Sequence, residues 1–246
     1  MISFVDFIDK NETFVKHYVY KMSHIDKQVR NGSYPNYVQP FTIVEKMYLC
    51  IISFFLNIVL LKYRPFYRID WKFAKTIRNI ENDFPHTHHD IIFLPWDFYE
   101  LKSTNLIKTI IHEKIHIYQR FNPIPTLQLY IHYWELKLHS MEVEDQERCN
   151  PDINLIKFAY YNPVLDKMVY NYQKYDNNPK SLSNSFVEHI ILSDQIVNNT
   201  QIYYDIIQSN KYQSEHPNEV MACLLTNIIV NNVTHAPTER WFKSLN

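Results

Sequence analysis

TIIHEKIHIYQ, residues 109–119, holds the pentapeptide His112-Glu113-Lys114-Ile115-His116 in a strongly helical context. One helical turn separates the two histidines, so both imidazoles leave the same face and can grip one metal ion. Glu113 sits roughly 100° further round the helix, beside the ligand pair, where a carboxylate reaches a water on the metal. Leu106, Ile107, Ile110, Ile111, Ile115 and Ile117 cover most of the remaining circumference. A helix so apolar is buried, and a polar stripe within it needs partners. Lys114 interrupts the apolar arc and is expected to reach an edge.

The residue types suit zinc, which takes imidazole nitrogens and, in catalytic sites, three protein ligands with a fourth position open to water. Bound water becomes acidic enough for a carboxylate to accept its proton near neutral pH. Zn2+ is therefore the expected cofactor, Glu113 the general base, and metal-assisted hydrolysis, most often of a peptide bond, the reaction class.

A third ligand must come from elsewhere. Residues 214–229, SEHPNEVMACLLTNII, read as a helix starting at Pro217, since proline favours the first helical position. Glu219 then lies in its first turn, and Ala222, one turn on, is small enough to let two helices approach closely. An acid there also suits the helix dipole without any metal. Glu219 is nonetheless chosen over His132, Glu135, His139 and His216, with His216 left to a supporting or oxyanion role.

The bulk numbers narrow the field. Twenty-five basic and 26 acidic residues nearly cancel, so no nucleic-acid partner is implied. The single glycine, Gly32, excludes glycine-rich phosphate loops and nucleophile elbows. Cys50, Cys149 and Cys223 are widely spaced and form no metal or redox pair.

The chain divides into an N-terminal segment (1–40), a hydrophobic helix (41–64) and a main domain (65–246). In the first, Phe4, Phe7, Ile8 and Phe14, Val15, Tyr18 suggest one or two short amphipathic helices, and residues 31–40 read as a linker. Asp6 and Asp9 argue against a signal peptide. Residues 47–61, MYLCIISFFLNIVLL, fit either a core helix or a membrane span. If they span, the cations on the C-terminal side keep the HExxH part in the cytosol. The alternatives are thus a cytoplasmic or a membrane-anchored chain.

Residues 71–83 have helical spacing, and Ile91–Leu94 is a short strand that could bind a substrate backbone at a sheet edge. His86 and His88, two apart, could hold a second metal. Asp97–Glu100 has capping-box spacing, with Ser103 a second possible helix start, and Asn122-Pro123 ends the helix. Residues 127–138 read as a helix, 141–152 as an exposed acidic connection, 168–172 as a strand and 186–207 as one or two helices. Tyr160, Tyr161, Tyr170 and Tyr172 are candidates for stabilising a tetrahedral intermediate.

HEKIH followed far downstream by Glu219-Val220-Met221-Ala222 resembles the gluzincin branch of the zincin metallopeptidases, which pair HExxH with a helix bearing E-x-x-A. IIFLP, TIIHEKIHIYQRFNP and EHPNEVMA together also resemble uncharacterised metallopeptidase-like proteins of large DNA viruses. The resemblance implies that His112, His116 and Glu219 hold zinc, that Glu113 is base and then proton donor, and that the substrate is a peptide or protein. The fold expected is α+β, mostly helical, zincin-like, with a short sheet and an HExxH helix. The competing reading is a catalytically silent, membrane-associated binding protein that keeps a remnant of the site.

Overall fold

The computed structural model describes residues 5–9, 23–29, 37–153, 156–192, 201–209 and 214–245. Its helices are α1 (His24–Val29), α2 (Ile43–Leu60), α3 (Arg64–Tyr67), α4 (Ser103–Phe121), α5 (Pro123–Gln128), α6 (Ile202–Ser209), α7 (Pro217–Asn231) and α8 (Ala236–Ser244). Strands β1 (Val5–Ile8), β2 (Val38–Gln39), β3 (Trp71–Thr76), β4 (His86–His88) and β5 (Ile91–Leu94) form one sheet. Strands β6 (Lys137–Ser140), β7 (Lys157–Asn162), β8 (Lys167–Tyr175) and β9 (Ser185–Ile191) form a second, antiparallel throughout. The architecture is mixed α+β.

The first sheet has the order β1-β3-β5-β4, with β2 on the end of β3. β1, β3 and β5 run parallel, while β4 is antiparallel to β5. Against this sheet and α7 packs α4. One apolar core joins α2, β3, β5, α4, α7 and α8, so residues on both sides of position 65 share it.

Several elements depart from the sequence reading. Residues 71–76, WKFAKT, are strand: Phe73 to Thr76 are all buried, Lys75 included because its ammonium pairs with Glu45, so the polar residues do not mark one solvent face. Only the short 3₁₀ turn Ile80–Asp83 follows, with Glu81, Asn82 and Asp83 at positive φ. Residues 5–8 pair with β3 as a strand. Phe4, Phe14, Val15 and Tyr18 lie outside the described residues, as does most of the expected linker. The helix expected over 127–138 becomes a π turn at Leu129–Tyr133 and then stops at Glu135, whose φ is 57°. Residues 185–191 form β9, and only 202–209 of that region is helix among the described residues.

Asp97 makes no side-chain cap, and α4 begins at Ser103. Lys114 does not reach an edge. It is fully buried, with its ammonium 3.4 Å from the Trp71 ring centroid and donating to the carbonyl of Ile69. The Trp71 indole in turn donates to Asn57 Oδ1 of α2 at 2.8 Å.

Among the described residues, α2 is long and apolar enough to cross a membrane by length and composition. Leu49, Ile52, Leu56 and Leu60 are nevertheless buried in the core. Its start is a capping box: Thr42 Oγ1 accepts from Glu45 N–H, and the Glu45 carboxylate accepts from Thr42 N–H. Glu45 also takes the Lys75 ammonium of β3 at 2.8 Å.

Two stability outcomes follow. Thr42→Ala should cost about 1 kcal/mol in denaturant unfolding, the usual value of a lost cap. Burial tends to raise the Glu45 pKa, but the Lys75 hydrogen bond and the Thr42 N–H outweigh it and hold the pKa below the usual value. The folded state therefore binds this proton less readily than the unfolded chain does. The stability lost in Glu45→Gln should be fully present at pH 7 and should vanish as pH falls below about 4; equal losses at pH 7 and pH 3 would refute the pairing.

Candidate metal centre

Two helices make the site. His112 and His116 project from α4, and Glu219 meets them from the first turn of α7. The separations are 3.0 Å between the two Nε2 atoms, 3.2 Å from His112 Nε2 to Glu219 Oε2 and 3.4 Å from His116 Nε2 to Glu219 Oε2. A tetrahedral ion at about 2.0–2.1 Å from each ligand keeps its ligands about 3.3 Å apart, so these three atoms fit one. Ala222 is fully buried one turn along α7, where a larger side chain would push the helices apart.

Each candidate ligand has a polar neighbour. His116 Nδ1 donates to Gln119 Oε1 at 2.8 Å, which leaves Nε2 to face the other ligands. Gln119 Nε2 donates to the carbonyl of Asn218 at 2.8 Å and to Tyr130 Oη at 3.3 Å, and Tyr130 donates to Asn218 Oδ1 at 2.9 Å. Asn150 Nδ2 donates to Glu219 Oε1 at 2.7 Å, aiming the other carboxylate oxygen at the imidazoles. Cys223 Sγ lies 3.9 Å from His112 Nδ1.

The electrostatics favour a cation. Glu113, Asp152, Glu215 and Glu219 are all buried at or beside this point. Burial opposes a charged imidazole at His116, yet Glu219 and Asp152 outweigh it and hold its pKa at about 10. Burial would likewise raise Glu219, but His116 and His112 pull it well below the ordinary range. Burial and then Asp152 push Glu113 well up. The Glu113 Oε2 atom is buried and has no hydrogen-bond partner.

The segment 150–152 stitches the site together, although its acidic sequence reads as an exposed connection. Besides Asn150 on Glu219, Asp152 Oδ1 accepts the Thr87 N–H at 2.7 Å and the Thr87 hydroxyl. Arg120, in the last turn of α4, donates to the carbonyls of His89 at 2.6 Å and Pro151 at 3.2 Å. Nearby Glu147 is also buried, paired with Lys157. Polarity alone hid these residues, because their partners are far away in sequence.

Other candidates fall elsewhere. His132 and His139 are exposed, and neither they nor Glu135 joins the site. His216 caps α7 by accepting the Asn218 N–H, donates to the carbonyl of Ile156, and has its pKa lowered by burial to about 4. His86 bonds Tyr37 Oη at 2.6 Å and the carbonyl of Phe84, and it forms no metal group with His88 among the described residues. Tyr160, Tyr161, Tyr170 and Tyr172 are bonded to Asn171, Asp166, Glu144 and Glu188, and none lines the cleft.

The cleft over the site has a volume of about 990 Å³ and runs from Phe84–His86, past α4 and α7, to Arg148 and Gln173. Ile91–Leu94 is not its edge strand, being paired on both sides by β3 and β4. The edge is β4. There the Thr87 N–H is taken by Asp152, and its carbonyl accepts from Arg120 Nη2 at 3.4 Å.

No family model matches the chain, and neither a curated protein nor a solved structure matches it significantly.

Tyr130→Phe should destabilise the chain by about 1–3 kcal/mol, because it strands Asn218 Oδ1 in a dry interior. Equilibrium unfolding in urea measures this, and a change below about 0.5 kcal/mol would show that the Tyr130 bond is dispensable.

Proposed function

We propose that the chain is a zinc-dependent hydrolase of peptide bonds, of the zincin type and nearest in pattern to gluzincins. The observation that carries the reading is the convergence of His112, His116 and Glu219 from two remote segments at tetrahedral ligand spacing. When bound there, zinc supplies Lewis acidity toward a carbonyl oxygen and lowers the pKa of water to about 7.

The chain's own groups do the rest. Glu113 lies within 4.8 Å of His116 and Asp152, and its Oε2 has no partner within the protein. A buried carboxylate with a raised pKa is a stronger base than an exposed one, and it can hold the proton it accepts until a leaving amine takes it. Asn150 and Gln119 keep Glu219 and His116 pointed at the shared position. With the outer edge of β4 engaged at Thr87, a substrate backbone is bound by the walls of the cleft and not by strand addition at that residue.

The second reading, a catalytically silent membrane-associated protein with a retained metal site, draws on the exposed apolar face of α2. One set of measurements separates the two. The hydrolase reading expects near one zinc per chain, lost in His112→Ala and kept in Glu113→Gln. Hydrolysis of a fluorogenic peptide library should fall in Glu113→Gln by about 10² to 10⁴. Asn150→Ala should weaken zinc affinity by about 10- to 100-fold. Full zinc content with no hydrolysis in the unmodified chain would favour the second reading, and zinc retained in His112→Ala would remove both.

A further inference from the structure

We propose that α2 is an interfacial anchor that lies flat in the surface of an anionic bilayer, as part of the folded domain and without crossing it. The reading is independent of whether the chain hydrolyses peptides. The outward face of α2 exposes Ile43 (78 %), Met47 (60 %), Ile51, Phe54, Phe55 (60 %) and Ile58. Among the exposed positions from Ile43 to Leu61 none is charged. With Val44, Val59 and Leu61 these side chains present on the order of 1,000 Å² of apolar surface, beyond the largest patch of an ordinary soluble monomer. The strip is about 27 Å long.

The inward face rules out a simple span. Leu49, Ile52, Leu56 and Leu60 are core residues, Asn57 holds the Trp71 indole, and Glu45 holds Lys75 of β3. Crossing a bilayer would transfer Asn57 and Ser53 into hydrocarbon and strip the core of four side chains. Lying in the interface leaves every one of these contacts intact.

Charge selects the occupant. Just beyond the helix, Lys62, Arg64 and Arg68 are exposed, against a single acid, Asp70, before Trp71. The charged groups at the other end are already paired, Glu45 with Lys75 and Lys46 with Asp9. A second copy docked antiparallel on this face would bring the three cations to an end whose carboxylates are engaged; docked parallel, it would set cation against cation. Anionic headgroups satisfy them, and partly exposed Tyr48, Tyr63 and Tyr67 beside the strip suit the headgroup level.

The test is co-sedimentation of the full chain with vesicles of phosphatidylcholine alone or with about 30 % phosphatidylserine. Binding should favour the anionic vesicles, weaken with salt, and be released by alkaline carbonate. Phe54→Ser/Phe55→Ser should lower partitioning at least tenfold, and Lys62→Glu/Arg64→Glu/Arg68→Glu should abolish the preference for phosphatidylserine. The second variant alters only exposed side chains outside the core, and unchanged circular-dichroism melting confirms its fold. The proposal is overturned if the chain stays in the supernatant, if carbonate fails to release it (a span), or if sedimentation equilibrium shows a dimer that Phe54→Ser/Phe55→Ser breaks while no vesicle is bound (a second copy).

Discussion

Everything at the centre of this molecule depends on one carboxylate, Glu219, placed between two imidazoles in a water-poor interior. A buried His116 alone would shed its proton, and a buried glutamate alone would take one up. Together they hold each other in the opposite states, with His116 drawn up and Glu219 drawn down. Such a cluster is tolerable only if helix α7 approaches α4 closely and in register. Ala222 permits the approach, His216 fixes where α7 begins, and the bond from Gln119 to the Asn218 carbonyl sets the register.

The surrounding architecture serves that placement. The first sheet braces α4 from one side, and the loop at 150–152 ties α4, α7 and β4 through Arg120, Asn150 and Asp152. Lys114, Trp71 and Asn57 form a second tie, from α4 through β3 to α2. A lysine buried in the same helix as the candidate ligands is held by a ring face and a backbone carbonyl instead of a carboxylate, so it adds no anion to a site already rich in them.

The features that were legible in the sequence are those written in local spacing. The HExxH turn, the end of its helix at Asn122, the start of α7 at Pro217 and the presence of Glu219 in its first turn all follow from offsets within a few residues. What escaped depends on contacts across long separations. β3 was masked because Lys75 is buried in a pair with Glu45 from α2, so its polar residues do not fall on one solvent face as an alternating strand's would. Asn150 and Asp152 were masked because acids and amides in a loop normally mean solvent, and only the folded chain reveals that Thr87 and Glu219 await them. Lys114 was misread for the same reason: a cation–π seat on Trp71 leaves no trace in the one-dimensional pattern.

The capture of Thr87 by Asp152 and Arg120 also bears on how the molecule behaves in a crowd. A terminal strand with free amide and carbonyl groups is a template onto which another chain can crystallise its own backbone, the first step toward fibrous or swapped assemblies. Here the central residue of that strand has both groups spoken for by side chains from elsewhere in the same molecule, so the sheet is closed to accretion at that residue for as long as the loop stays docked.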